Sequence, residues 1–155
     1  MAYWLFKSEP DVFGIDHLEA VGTEPWDGVR NYQARNMMRD EMKIGDQAFF
    51  YHSNTKVPGI VGCCEIVREG YPDDAAFDPD HKYYDAKSDP DNPRWYRVDV
   101  RFVSRFADTI ALDWLKSQPE MADSPLVRRG NRLSIVPVTP EQWAFILRHA
   151  KLHSD

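Results

Sequence analysis

Two cysteines, side by side at positions 63 and 64, are the only ones in this 155-residue chain. Neighbouring cysteines cannot form an ordinary framework disulfide, which needs separated partners brought face to face, so stability must come from buried apolar surface. Set in an apolar run, they read as reduced core thiols, and the expected compartment is the cytoplasm. No apolar stretch is long enough to cross a bilayer, and the first ten residues, which include Lys7 and Glu9, lack the apolar centre of a signal peptide. No membrane partner is expected. Motifs that carry chemistry are missing too. There is no H-E-x-x-H or C-x-x-C for a metal, no G-x-x-x-x-G-K or G-x-G-x-x-G for a nucleotide cofactor, no G-x-S-x-G elbow and no H-x-E with P-C-x-x-C of a zinc deaminase. The expectation is a non-enzymatic protein without cofactor or metal.

What is present is a globular composition, 43% hydrophobic and 28% charged, of a size that fits one domain over residues 1–155. The net charge of −6 argues against nucleic acid until its distribution is considered. Between residues 71 and 93, seven aspartates (73, 74, 78, 80, 85, 89 and 91) face only Lys82 and Lys87, which leaves the remaining chain at −1. That Asp- and Pro-rich stretch lacks calcium-loop spacing and reads as an extended, solvated surface loop. Elsewhere the basic residues cluster: Arg30, Arg35, Arg39 and Lys43 in one segment, Arg128, Arg129 and Arg132 in another. Such a chain suits site-directed binding of nucleic acid and not coating of a duplex by charge.

Periodicity predicts strands over 3–6, 47–52, 60–67, 94–106 and 132–136. The run at 60–67 is apolar on both faces and therefore central. Helices are expected after an Asp16 capping box ending at Gly22, after an Asn31 cap with Ala34, Met37, Met38 and Met42 on one face, briefly at 112–116, and after Thr139-Pro140-Glu141-Gln142. The order β, α, α, β, β, β, α, β, α lacks doubly wound alternation, so an α+β fold with a mixed, mostly antiparallel, curled sheet flanked by helices is predicted.

Three segments carry candidate ligand chemistry. In Trp26-Asp27-Gly28-Val29-Arg30-Asn31-Tyr32-Gln33-Ala34-Arg35-Asn36, aromatic faces could stack a base, Asn31, Gln33 and Asn36 could read an edge, and Arg30 and Arg35 could hold phosphate near a helix start. The same residues would also serve as a core tryptophan, a helix cap and solvated arginines. Tyr51-His52-Ser53-Asn54 places a histidine and small polar groups at a strand end. Successive side chains there point apart, which disfavours a shared proton between His52 and Ser53. Leu126-Val127-Arg128-Arg129-Gly130-Asn131-Arg132-Leu133-Ser134 resembles a phosphate clamp on a tight turn. Arg132 and Ser134 would share one strand face and Leu133 and Ile135 the other. A metabolite sensor or small-molecule enzyme using the same pocket, and a protein-interaction module using the acidic loop, are the competing readings.

Taken in order, Trp4-Leu5-Phe6-Lys7-Ser8-Glu9-Pro10, the Trp26–Asn36 segment, Lys43-x-Gly45-Asp46, Phe50-Tyr51-His52-Ser53, Gly59-Ile60-Val61-Gly62, Tyr71-Pro72-Asp73, Trp95-Tyr96-x-Val98-Asp99-Val100, Arg132-Leu133-Ser134 and Trp143 resemble the EVE domain family of the PUA-like superfamily, related to YTH and ASCH domains. The resemblance implies a PUA-like pseudobarrel that reads a modified base in DNA or RNA, single-stranded or flipped into a pocket. It implies Trp26 as a pocket wall, with Lys7, Ser8, Asn31, Gln33, Tyr51, His52, Ser53 and Asn54 lining or approaching it.

Overall fold

A computed structural model describes residues 1–131 and 133–153, with side chains as far as residue 150. Along β1 (Tyr3–Ser8), β3 (Gln47–His52) and β4 (Gly59–Pro72) adjacent residues are apolar. Because successive strand side chains point to opposite faces, such strands need a core on each side. Phe6, Phe50 and Cys64 enter one core with Trp26, Ala34, Met38 and Val100, while Leu5, Phe49 and Cys63 enter the other with Tyr51, Leu115, Trp143 and Ile146. The two cysteines are thus free, buried and separated by the sheet.

With β2 (Thr23–Pro25), β5 (Tyr96–Ala111) and β6 (Ile135–Val138), these strands form one six-stranded sheet in the order β2-β5-β4-β3-β1-β6. Among the described residues only β1 and β3 run parallel; the other neighbours are antiparallel. The sheet is mixed and unclosed, and repeated register shifts along β4 and β5 bend and twist that long ribbon. Beside one shift, a Cβ on Gly62 would stand 2.3 Å from the Ser104 carbonyl oxygen, so the close strand approach requires glycine. Helices α1 (Pro10–Phe13), α2 (Ile15–Val21), α3 (Tyr32–Asn36), α4 (Leu112–Lys116) and α5 (Pro140–His153) flank the sheet in the expected α+β arrangement.

Local signals were read correctly where the side chain itself makes the cap. Thr139 Oγ1 accepts from the Gln142 N–H and Gln142 Oε1 accepts from the Thr139 N–H, both at 3.1 Å. Asn31 Oδ1 accepts from the Ala34 N–H at 3.0 Å. The expected Asp16 cap is replaced by Gly14, because His17 Nδ1 accepts the Gly14 N–H and His52 Nε2 accepts the Ile15 N–H, at 2.7 and 3.1 Å. Beyond Asn36 the helix widens into a π-turn (Met37–Glu41), closed by a Met42 N–H to Met37 carbonyl bond, which lets Met37, Met38 and Met42 all be buried. Strand β2 escaped prediction because three residues ending in proline carry no periodicity.

Candidate functional site

The carboxyl ends of the parallel strands β1 and β3 open into a cavity of about 740 Å³. Trp26 forms its base, 8% exposed, with its ring 5.1 Å from Phe6 and edge-on to Phe50 and Phe13 at 5.5 and 6.2 Å. The Trp26 N–H donates to the Val98 carbonyl at 2.7 Å, which fixes the residue as the chain leaves β2. Around it stand Lys7 and Ser8 from β1, Val12 and Phe13 from α1, Glu24 and Pro25 from β2, Asn31, Ser53, and Leu133 and Ser134.

The remaining wall is His81, Lys82 and Tyr83, from the stretch expected to be a solvated loop. Four of its aspartates hold it in shape. Asp78, Asp85 and Asp89 each accept the N–H two residues on, at about 3 Å, and Asp85 also accepts from the Trp95 indole at 2.7 Å. Asp73 is wholly buried: one oxygen accepts from the Gly28 N–H and Arg30 Nη1 at 2.9 and 3.1 Å, the other from the Ala75 N–H at 3.0 Å. Arg30 also donates through Nε and Nη2 to the Tyr83 carbonyl at 3.2 and 2.6 Å, so it clasps the loop to the tryptophan segment. Gly28, at φ +76°, lies flat beneath Tyr83; a Cβ there would be 2.3 Å from that ring. Most of the loop is exposed, as its composition predicts, and Asp73 fastens its first part to the sheet.

Charges around the cavity balance, with Lys7, Arg30 and Lys82 against Glu9, Glu24 and Asp27. Burial lowers the Lys7 pKa, and burial raises those of Asp27 and Glu24. The neighbouring Asp73 adds to the rise at Asp27, and Asp27 itself adds to that at Glu24. The site therefore offers an aromatic surface, two partly desolvated carboxylate acceptors and few uncompensated charges, which suits a neutral, flat, polar ligand.

Of the residues singled out from sequence, Trp26, Asn31, Lys7, Ser8, Ser53 and Ser134 line this cavity, as does Arg30. Gln33, Tyr51, His52 and Asn54 do not. Gln33 is exposed on α3; Asn54, at φ +51°, donates to Glu9 Oε1 at 3.2 Å; His52 supports the start of α2. Tyr51 lies in the opposite core, 3% exposed. The two phosphate candidates near α3 are turned inward: Arg30 as described, and Arg35 through Nη1 to the Arg94 carbonyl at 2.6 Å. Arg128 and Arg129 line a separate cavity, and Arg132 is outside the described residues. Strand β6 starts at Ile135, so the predicted alternation fails before it, and Leu133 and Ser134 both face the Trp26 cavity. Asp27, Glu24 and Tyr83 were not anticipated. Asp27 alone had a local signal, its place inside the tryptophan segment.

Residues 2–149 match the EVE domain family. Thymocyte nuclear protein 1 of Danio rerio is 45% identical over 162 residues, covering 93% of this chain and 70% of that protein. A solved structure of a Pseudomonas syringae protein aligns with a TM-score of 0.93 at 50% identity, over 96% of this chain and 99% of that one. Human thymocyte nuclear protein 1, solved in complex with 5-methylcytosine-containing DNA, aligns with a TM-score of 0.88 at 45% identity, over 97% of this chain and 98% of that one.

Proposed function

This chain belongs to the EVE domain family, and we propose that it binds nucleic acid carrying a modified base, 5-methylcytosine in the first instance, by seating that base against Trp26. The observation that carries this reading is the charge-balanced cavity with an aromatic base at the ends of β1 and β3. The DNA complex of the human relative supports it. A base stacked on an aromatic ring is stabilised by roughly 1–3 kcal/mol. Asp27 and Glu24 supply acceptors for the exocyclic amine of cytosine, where thymine or uracil would present a carbonyl. His81, Lys82 and Tyr83 form one wall of the cavity, and a paired base enters it by leaving its stack. Val12 and Phe13 offer the methyl group an apolar surface. Burying one such group contributes about 0.8 kcal/mol, close to a fourfold preference.

The reading is of binding and not of conversion. His52 accepts a backbone N–H, and both thiols are buried with raised pKa values, Cys63 to about 11; none of the three lines this cavity.

Anisotropy titrations with single-stranded DNA oligonucleotides that differ only in 5-methylcytosine, cytosine or thymine at one position test the proposal. The expected order is 5-methylcytosine tightest by roughly fourfold and thymine weakest. Asp27→Asn should shrink the gap between cytosine and thymine, and Trp26→Phe should weaken all three. Truncation to alanine is less informative, because losing a buried tryptophan costs about 3–5 kcal/mol of stability by itself. Equal binding of the three oligonucleotides by the unaltered protein would remove the assignment.

A further inference from the structure

Several basic side chains of this acidic protein have partners. Arg30, Arg39, Arg94, Arg97, Arg101 and Arg105 each face a carboxylate, and Arg35 a carbonyl. Of the described cations that face no carboxylate, four collect in one place. A second cavity, of about 560 Å³, is lined by Lys7, Lys116, Arg128 and Arg129 with Tyr51 and Asn131, and no carboxylate among the described residues lines it. Among the described residues, none of these four cations has an ion-pair partner. In a chain with 25 acids to 19 bases, four cations gathered around one cavity without a carboxylate give it a positive potential that attracts an anion.

The cavity is held in shape. Gly130, at φ +78°, allows the turn in which the Asn131 N–H donates to the Arg128 carbonyl at 3.2 Å. Asn131 Nδ2 donates to the Pro125 carbonyl at 2.6 Å, and its Oδ1 accepts from the Leu133 N–H at 3.0 Å. Arg128 and Arg129 therefore project from a pinned turn. Burial, with a smaller effect from Asp113, pushes the Tyr51 hydroxyl up to about 12. The Lys7 ammonium stands 5.7 Å from the Tyr51 ring.

Lys7 lines both cavities. We infer that the second cavity seats a backbone phosphate, so that the two together hold one nucleotide, its base on the Trp26 side of β1 and its phosphate on the Arg128–Arg129 side. The contrast in charge supports the division: a balanced cavity for a neutral base, a wholly cationic one for an anion. The inference rests on the first cavity being the base site.

The test compares the unaltered protein with an Arg128→Ala/Arg129→Ala double variant across a tenfold range of salt, using the 5-methylcytosine and cytosine oligonucleotides. Both arginines are exposed, so an unchanged thermal melt verifies the fold. The double variant should flatten the slope of log affinity against log salt by about 0.7, the value for one single-strand phosphate no longer neutralised, with the methylation preference intact. An oligonucleotide with an uncharged methylphosphonate beside the modified base should flatten the slope for the unaltered protein only. An unchanged slope in the double variant, or a methylphosphonate effect equal in both proteins, overturns the phosphate seat whatever the base preference. A flattened slope without base discrimination upholds the seat and fails the base reading instead. Shifts of the Gly130 and Asn131 amide resonances by inorganic phosphate alone, with oligonucleotide slopes unchanged, would assign the cavity to a free anion and refute the inference.

Discussion

Removing the Asp73 carboxylate should unfasten the candidate site and much of the stability around it. Asp73 is 0% exposed and uses both oxygens: one receives the Gly28 N–H and Arg30, the other the Ala75 N–H. Asp73→Ala strands two N–H donors and leaves Arg30 without its carboxylate; breaking a buried pair from one side costs about 3–5 kcal/mol. Against a total stability of roughly 5–15 kcal/mol this is a large share. For a chain of this size it lowers the melting temperature by roughly 6–20 °C. Asp73→Asn keeps the shape but has one oxygen, so its amide N–H2 must face a donor on one side, and the loss stays at about 2–3 kcal/mol. Urea melts of the parent and both variants, with oligonucleotide titrations under folded conditions, measure this. Both variants should also lose ligand affinity as His81–Tyr83 come away from the cavity. Should Asp73→Asn lie within about 0.5 kcal/mol of the parent, the carboxylate is not what fastens the loop.

Three further outcomes are expected. Gly28→Ala, strained at φ +76° and only 2.3 Å from the Tyr83 ring, should cost at least about 1–2 kcal/mol and weaken binding, read by thermal melt and titration; unchanged binding would mean Tyr83 is no part of the wall. Asp27 has a raised pKa, first through burial, so the folded state favours its protonated form and gains stability as pH falls through the raised value. Asp27→Asn should accordingly raise the melting temperature at neutral pH while blunting the preference for cytosine, and a lowered melting temperature would contradict this. Burial lowers the His52 pKa from 6.5, in keeping with a neutral ring that accepts the Ile15 N–H. Its contribution is therefore full above the unfolded value of about 6.5 and is lost as pH falls through the lowered folded value. Urea midpoints measured on either side of that range should fall less in His52→Gln than in the parent; parallel declines would separate His52 from the acid sensitivity.

How much could be read in advance depended on the range over which each signal acts. The Asn31 and Thr139 caps are bonds between residues three apart, and the apolar run of β4 declares burial on both faces through its own period. Such features are visible in a short window. His52 looked like a ligand group because nothing near it in sequence shows that its partner is Ile15, 37 residues away. The exposure of most of the acidic loop follows from its polar composition, but its anchor does not, because Asp73 lies 45 residues from the Gly28 it holds.

By itself the sequence determined the α+β class, the central strands and most helix starts, because propensity, periodicity and capping are local. The tertiary structure alone decided which polar groups share a cavity. It turned Arg30 and Arg35 inward, left Arg128 and Arg129 without carboxylates, and joined two cavities through Lys7. Those outcomes follow from a sheet that sets β1 beside β3 and curls residues distant in sequence into contact. There the partner a charge finds, and not its identity, determines what remains for a ligand.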